Sequence, residues 1–313
     1  MPVPGTSQRA IVPGDVLGGQ LFAWGDSSNG KLGDGQTATD FSSPIQIGAN
    51  VWSKISVGGS GLGGLQEGHT LAIRSDGLMF AWGANGSGQI GDNSTTFRSS
   101  PVQIGTGFRW REVAAGGAHS VAIREDGLMF TWGQNNVGQL GINSTGNSSS
   151  PNQIASNQWI QVSAGADISQ ALRSDNLMFT WGLNSVGQLG LNDLTNRSSV
   201  TQVGASSWTA IGIAACNASH MGAIRLDGIL FMWGLNSLGH VGDNTAVNKS
   251  SPVQIGASSW KMVTGGNAGT MAIRVDGLLF TWGGSATGEL GNSSTVTVSS
   301  PIQIGRASCR ERV

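Results

Sequence analysis

The chain has 313 residues, a formal net charge of −1, only 11% charged residues and 50 glycines. Disordered chains combine low hydrophobicity with high charge, so this composition excludes disorder and indicates a folded protein with many tight turns. The near-neutral charge leaves no basic surface for phosphate groups, so we expect no nucleic-acid partner.

The cysteine content and the N-terminal sequence indicate which cofactors and which cellular location to expect. Cys216 and Cys309 are the only two cysteines, too few for a disulfide framework or a four-ligand zinc site, so we expect neither a metal nor a cofactor. No apolar run of about 18 residues occurs, and residues 1–19 lack the charged and apolar regions of a secretory signal. We therefore expect a cytoplasmic protein, or a component of a virus particle, without membrane association.

The first predicted elements follow an N-terminal lead-in at residues 1–19. The segment Gln20 to Gly48 contains QLFAWG, a polar glycine-rich loop and SSPIQIG. Short apolar runs bounded by turn residues predict strands. This segment matches the second half of the unit that follows it.

The complete unit runs from Trp52 to Gly105. Its apolar segments WSKISVGG, HTLAIRSDG, LMFAWG and SSPVQIG predict four strands separated by turns. Asp76-Gly77 lies between the second and third segments and predicts a type I′ hairpin, because Asp-Gly accepts positive φ at both central positions.

The same pattern starts again at Trp110, Trp159, Trp208 and Trp260, so we expect five complete units after an N-terminal half-unit. Both faces of the third strand are apolar, which is typical of a sheet stacked between neighbouring sheets. We predict that all eleven tryptophans form the structural core of the repeat. They are Trp24, Trp82, Trp132, Trp181, Trp233 and Trp282, which precede glycine, and Trp52, Trp110, Trp159, Trp208 and Trp260, which start the units.

The runs HTLAIRSDGLMFAWGANGSGQIGDN and HSVAIREDGLMFTWGQNNVGQLGIN resemble the repeat of the regulator of chromosome condensation (RCC1-like) family. The resemblance covers residues 20–305. It implies an all-β fold, a β-propeller of four-stranded blades. Members of this family include nucleotide exchange factors and inhibitors of β-lactamase, so the resemblance fixes the fold and leaves the function open.

Two units carry insertions, and the larger one lies in the Trp52 unit. Between its first tryptophan and the alanine of AIR, the Trp52 unit has extra residues in the stretch GGSGLGGLQE. Such a glycine-rich insertion is either a loop without a task or a binding tip. The candidate interaction loop comprises Gly58, Ser60, Leu62, Leu65, Gln66 and Glu67.

Two polar positions recur. His69, His119 and His220 occupy the same position of three units, which favours a structural hydrogen-bonding role over a shared metal site. His240 replaces a glutamine of the other units and is predicted to be a surface variation. An arginine precedes every Asp-Gly turn, as Arg74 precedes Asp76, and we expect local ion pairs.

No nucleophile, acid–base pair or metal set is clustered in the sequence, so we expect a protein that is not an enzyme. The favoured hypothesis is a non-catalytic binding or scaffold module that contacts an unknown protein partner through loops at its rim. One alternative is a virion or cell-surface adhesin that binds a glycan or a receptor. Another is guanine-nucleotide exchange, which follows from the family resemblance alone.

The last segment, GRASCRERV at residues 305–313, has the composition of no other part of the chain. Back-translation resembles a sequencing adapter, so we expect an artefact there and a natural frame that continued. The propeller at residues 20–304 would then be truncated at its C-terminus, with open strand edges prone to association.

Overall fold

The computed structural model describes residues 18–59, 68–213 and 219–306. These residues form antiparallel strands and one short 3-10 helix, Ser28–Gly30, so the predicted all-β fold is confirmed. The first strands are β1 (Gly19–Gly25), β2 (Phe41–Gly58), β3 (His69–Arg74), β4 (Met79–Gly83), β5 (Arg98–Ile104), β6 (Trp110–Ala115), β7 (His119–Arg124), β8 (Met129–Gly133), β9 (Ser148–Ile154) and β10 (Trp159–Ala164). They are followed by β11 (Ile168–Arg173), β12 (Met178–Gly182), β13 (Arg197–Gln202), β14 (Trp208–Ile213), β15 (His220–Arg225), β16 (Ile229–Gly234), β17 (Lys249–Gly265), β18 (Gly269–Arg274), β19 (Leu278–Gly283) and β20 (Val298–Arg306).

The strands follow the repeat of the sequence. Two sheets, β6-β7-β8-β9 and β10-β11-β12-β13, each contain four strands in chain order. The other two sheets are larger because β2 and β17 continue from the last strand of one unit into the first strand of the next. We call the sets of four that begin at Trp52, Trp110, Trp159, Trp208 and Trp260 units 1 to 5. The half-unit consists of β1 and the first part of β2.

The predicted hairpin between the second and third strands is present, but its turn type was wrong. Arg74 N–H donates to the carbonyl of Leu78, which leaves Ser75, Asp76 and Gly77 as a three-residue loop. Only Gly77 has a positive φ, of 86°. The turn is therefore a type I turn closed by a residue in the left-handed region, because the loop is one residue longer than a type I′ turn requires.

The core lies between neighbouring sheets. Leu71, Ile73 and Met79 of unit 1 form one buried cluster with Trp110 and Val113 of unit 2. Equivalent residues form the clusters between units 2 and 3, 3 and 4, and 4 and 5. Each unit thus depends on the next one to bury its apolar face, as in other repeat architectures.

Ten of the eleven tryptophans are at most 5% exposed. The Trp-Gly series reaches back to the preceding unit: the indole N–H of Trp132 donates to the carbonyl of Gln89 over 2.8 Å. Trp24 contradicts the prediction, because its side chain is 61% exposed. Trp132 contacts the unit that precedes its own, and no unit precedes β1 within the described residues, so the repeat position alone does not bury Trp24.

The glycine of the Trp-Gly pair permits a close approach of two segments. Gly83 has φ +103°, and a Cβ atom there would lie 2.4 Å from the carbonyl oxygen of Gly68. The same carbonyl accepts a hydrogen bond from Ala84 N–H. Gly25 has the same φ, but a Cβ atom there would have no neighbour within 4 Å. The positive φ thus favours glycine at both sites. At Gly83 the close contact with the Gly68 carbonyl excludes a larger residue as well.

Candidate functional site

The histidines connect neighbouring units. The Nε2 atom of His69 lies 2.9 Å from Ser120 Oγ of the next unit. His119 pairs in the same way with Ser169, and His220 with Thr270. All three histidines are at most 1% exposed. The predicted structural hydrogen-bonding role is confirmed.

The direction of these hydrogen bonds fixes the tautomer. Ser120 Oγ donates its only proton to the carbonyl of Gln89, 2.7 Å away, so it must accept a proton from His69. His69 therefore carries a proton on Nε2. Burial lowers the pKa of His69 and of His220 to about 3, and that of His119 to about 4.

The junction between units 3 and 4 uses apolar residues at the same positions. Ile168 replaces the histidine and Met221 replaces the serine or threonine, and both lie in one buried cluster. Ile168 is 2% exposed and Met221 is fully buried. The chain therefore fills one structural position with either a polar or an apolar pair.

His240 was wrongly predicted to lie at the surface. Its side chain is 1% exposed and stacks on His220 with 5.0 Å between the ring centroids. Burial lowers its pKa. The carbonyl of His240 accepts hydrogen bonds from Thr270 and from the indole of Trp282, so the residue lies inside the junction between units 4 and 5.

The part of the chain that the structure describes holds no group of three or more histidine, cysteine, aspartate or glutamate residues that could bind a metal ion. It also holds no helix long and apolar enough to cross a membrane. Cys216, Cys309 and the tail at 307–313 lie outside the described ranges.

The four Asp-Gly turns and their Asp175-Asn176 counterpart in unit 3 form a recurrent surface. In each of the five turns an arginine pairs with the aspartate over 2.5 to 2.7 Å. The guanidinium group also lies 4.8 to 5.2 Å from the centroid of a phenylalanine ring of the third strand. In unit 1 the hydrogen bond from Arg74 lowers the pKa of Asp76. The predicted local ion pairs are confirmed, and the stacked arginine holds each turn in one conformation.

The residue between this arginine and aspartate differs from unit to unit although its neighbours do not. All five side chains at this position are exposed. They are Ser75, Glu125, Ser174, Leu226 and Val275, and we call them, with the turns that carry them, the turn rim. The turn rim is polar in units 1 to 3 and apolar in units 4 and 5, where Leu226 is 60% and Val275 is 63% exposed.

Backbone hydrogen bonds join the turn rim from one unit to the next. Trp110 N–H donates to the carbonyl of Gly77 over 2.8 Å, and Glu125 N–H donates to that of Arg109. The Arg109 guanidinium also donates to the carbonyl of Asp76. Phe108, 46% exposed, lies under the guanidinium of Arg124. The turn rim is therefore a continuous surface with fixed backbone and varied side chains.

The predicted interaction loop is described only at its start. Gly58 is buried at the end of β2, where a Cβ atom would lie 2.2 Å from the carbonyl oxygen of Gly116. Ser60, Leu62, Leu65, Gln66 and Glu67 lie outside the described residues, so their role stays a prediction. Sequence reasoning missed the turn rim. The signal was present in the sequence, because the residue between the recurrent arginine and aspartate differs from unit to unit.

Comparison with known proteins identifies relatives of this architecture. A family model for the RCC1-like domain matches residues 67–312. The human probable E3 ubiquitin-protein ligase HERC3 is 31% identical over 89 residues, and mouse protein RCC2 is 37% identical over 87 residues. Each match covers 28% of this chain, but only 8% of HERC3 and 16% of RCC2.

Solved structures match most of the chain. Yeast RCC1 (Prp20) bound to Kap60 has a TM-score of 0.77 at 20% identity, covering 92% of this chain and 71% of Prp20. Human WBSCR16 has a TM-score of 0.76 at 21% identity, covering 91% of this chain and 78% of the human chain. At these identities the likeness concerns the fold.

Proposed function

Since the chain belongs to the RCC1-like domain family, we propose that it is a non-catalytic module that binds another protein through the turn rim. The main support is a contrast within each turn. The arginine and the aspartate recur in every unit and are held by their ion pair and by the phenylalanine ring, whereas the exposed residue between them differs between units. A rigid scaffold that presents variable side chains loses little conformational entropy when it binds.

The apolar part of the turn rim is the expected centre of contact. Leu226 and Val275 occupy equivalent positions in neighbouring units, and both side chains are largely exposed. Interfaces have an apolar centre surrounded by polar groups, and the polar positions Glu125 and Ser174 lie on the preceding units. A protein partner with a complementary apolar patch fits this arrangement.

Relatives are consistent with protein binding. Prp20 has been solved in complex with Kap60, and its binding to Gsp1p and histones has been described. We infer a protein partner for this chain from the shared fold and the turn rim together, without assigning any of these three. The adhesin and nucleotide-exchange hypotheses and the expected absence of a nucleic-acid partner stay predictions.

The test compares two double variants. Both replace one leucine and one valine by serine, but at different surfaces of the protein. In the first, Leu226 and Val275 become serine, which removes the apolar part of the turn rim. In the control, Leu238 and Val247 become serine; they are 45% and 65% exposed and lie in loops beyond the opposite end of β16. Proteins bound by the immobilised parent chain are identified by mass spectrometry and retested in purified form.

We expect a purified partner to bind the parent chain and the control equally and to bind the turn-rim variant at least about tenfold more weakly. Equal binding to all three proteins would assign the contact to another surface. Chemical activity of the purified chain on its partner would contradict a non-catalytic role.

A further inference from the structure

The loop between units 1 and 2 differs from its equivalents. Five residues, GTGFR at 105–109, separate Ile104 from Trp110, whereas four residues occupy this place at every other junction of the described chain. The other loops read GANV, ASNQ, GASS and GASS, without an aromatic or a charged residue. The longer loop therefore adds two side chains of a different kind to the turn rim, Phe108 and Arg109.

Phe108 presents part of its ring to solvent. Its side chain is 46% exposed. The guanidinium of Arg124 lies 4.5 Å from the centroid of the Phe108 ring and 5.2 Å from that of Phe130. A cation stacked between two rings holds both of them in place. Phe108 is therefore a fixed aromatic contact, a type of side chain that is enriched at the centre of protein interfaces.

Arg109 is the charged group of this loop, and no described carboxylate pairs with it. Ten other lysine and arginine side chains of the described ranges form ion pairs with aspartate or glutamate. The Arg109 guanidinium instead donates to the carbonyl of Asp76 over 2.8 Å. A carbonyl orients the guanidinium without neutralising its charge, and several N–H donors remain for another acceptor.

Two cavities adjoin this loop. One has a volume of about 520 Å³ and is lined by residues 107–109 and 124–126. The other has a volume of about 210 Å³ and is lined by Arg109, Glu125 and Lys54 among others. Arg109 lines both cavities, so a ligand group in either one can reach its guanidinium.

The charges around the two cavities leave a positive excess. Lys54 is paired with Glu112, and each of the two turns contains its own pair of arginine and aspartate. Three charged residues that line the cavities stay outside these pairs: Arg109 and Arg111 are positive, and Glu125 is negative. The excess is one positive charge, which a single carboxylate would neutralise.

We propose that this site binds an acidic residue of the protein partner that stands next to an aromatic residue. The carboxylate pairs with the guanidinium of Arg109, a charge-assisted contact of matching geometry, and the partner's ring packs against Phe108 in the larger cavity. This inference rests on the proposed function for the use of the turn rim and adds the chemistry of the partner. It places a second contact at units 1 and 2, besides Leu226 and Val275 in units 4 and 5.

The test uses the dipeptide N-acetyl-Asp-Phe-amide and the 313-residue protein labelled with ¹⁵N. Two control dipeptides each change one group: N-acetyl-Asn-Phe-amide lacks the charge, and N-acetyl-Asp-Ala-amide lacks the ring. Proton–nitrogen correlation spectra follow the backbone amide of Phe108 and the Nε–H of Arg109 during titration, so that weak binding is measured at the site itself.

Three variants of the protein test the charges. Arg109→Gln copies Gln158, which precedes the first tryptophan of unit 3 as Arg109 precedes that of unit 2. The control Lys261→Gln removes a positive charge that is also outside the described ion pairs, in unit 5. Glu125→Gln removes the negative charge beside Arg109. Thermal melting verifies that each variant folds, and Arg109→Lys, which keeps the charge but loses the planar group, replaces Arg109→Gln if that variant does not.

We expect saturable shifts with N-acetyl-Asp-Phe-amide. Binding should be weaker by at least about threefold for either control dipeptide and for Arg109→Gln, as the loss of one exposed ion pair or one ring contact requires. Lys261→Gln should bind like the parent, because salt screens charges that are far apart. Glu125→Gln should bind about twofold more tightly, since a competing carboxylate is removed.

Four results would overturn the proposal: shifts that do not saturate, equal binding of a control dipeptide, equal binding by Arg109→Gln, or an equal loss in Lys261→Gln, which would reflect overall charge. The variant with serine at 226 and 275 should bind the dipeptide like the parent. Absence of dipeptide binding, with a partner that still depends on Leu226 and Val275, would remove this inference and leave the proposed function intact. A partner that is insensitive to Leu226 and Val275 would remove the proposed function only.

Discussion

The imidazole of His119 donates a hydrogen bond to Ser169 Oγ over 2.9 Å, and the two residues belong to adjacent units. Ser169 in turn donates to the carbonyl of Gln139, which also accepts the indole N–H of Trp181. One carbonyl of unit 2 thus receives two donors from unit 3. Ile168 and Met221 replace the histidine and the serine at the following junction.

This replacement predicts strong coupling between His119 and Ser169. Ser169→Met alone should cost about 1–3 kcal/mol, because the buried Nε2–H of His119 loses its acceptor. The double variant His119→Ile/Ser169→Met copies the Ile168 and Met221 pair and should recover at least about 1 kcal/mol. Urea unfolding of the four proteins measures the coupling. Additive effects of the two substitutions would contradict it.

The same histidines predict a loss of stability in mild acid. The pKa of His69 is about 3 in the folded chain, below the ordinary value of 6.5, because of burial. The unfolded chain therefore binds more protons between these values, and the unfolding free energy falls as pH falls through this window. From pH 7 to pH 5, His69, His119 and His220 should each remove about 2 kcal/mol from the unfolding free energy.

The double variant at His119 and Ser169 is the matched control for this pH effect. It lacks one of the histidines, so its stability should fall by about 2 kcal/mol less over the same interval. The paired aspartates, such as Asp76, have lowered pKa values and titrate below this range. Identical pH profiles for the parent and the variant would show that His119 does not contribute.

Trp132 and Trp24 occupy the same repeat position in different surroundings. Trp132 is fully buried and donates to the Gln89 carbonyl, whereas Trp24 is 61% exposed. Trp132→Phe should destabilise by about 2–4 kcal/mol through lost packing and a lost hydrogen bond. Trp24→Phe should stay within about 0.5 kcal/mol of the parent. Chemical denaturation measures the unfolding free energy of both variants. Equal losses of unfolding free energy would contradict the different burial of the two tryptophans.

Gly83 and Gly25 form a second matched pair. Both have φ +103°, but only at Gly83 would a Cβ atom meet a carbonyl oxygen, at 2.4 Å. Gly25→Ala should cost about 1 kcal/mol from backbone strain alone. Gly83→Ala should cost at least about 2 kcal/mol more, because β3 must move away from β4. Equal shifts of the denaturation midpoint would mean that the close approach is not required.

The repeat allowed much of the fold to be predicted from the sequence. The period of the tryptophans and the Asp-Gly turns located the strands, because each unit must bury the same apolar face against the next. The turn type was missed since Asp-Gly occurs both in two-residue loops and at the end of three-residue loops. The hydrogen bond between Arg74 and Leu78 shows that Ser75 belongs to the loop, which therefore has three residues. The sequence does not reveal this pairing.

The candidate site was less accessible to sequence reasoning. Trp24 and His240 were misassigned because burial depends on the neighbouring strand or ring, which a repeat position does not specify. The insertion at residues 58–67 drew attention by its length, whereas the turn rim is formed by single substitutions within a constant frame. Leu226 and Val275 become noticeable only when the structure shows that they are exposed and that their neighbours are fixed.

The continuous strands β2 and β17 have a consequence for local unfolding. Each is the last strand of one unit and the first strand of the next, over 18 and 17 residues. At the other junctions, as between β5 and β6, the chain leaves the sheet before it enters the next one. Amide hydrogens of the half-unit and unit 1 should therefore exchange with solvent as one cooperative block, and those of units 4 and 5 as another. Units 2 and 3 can open one at a time, so hydrogen exchange would divide the repeats into foldons of unequal size.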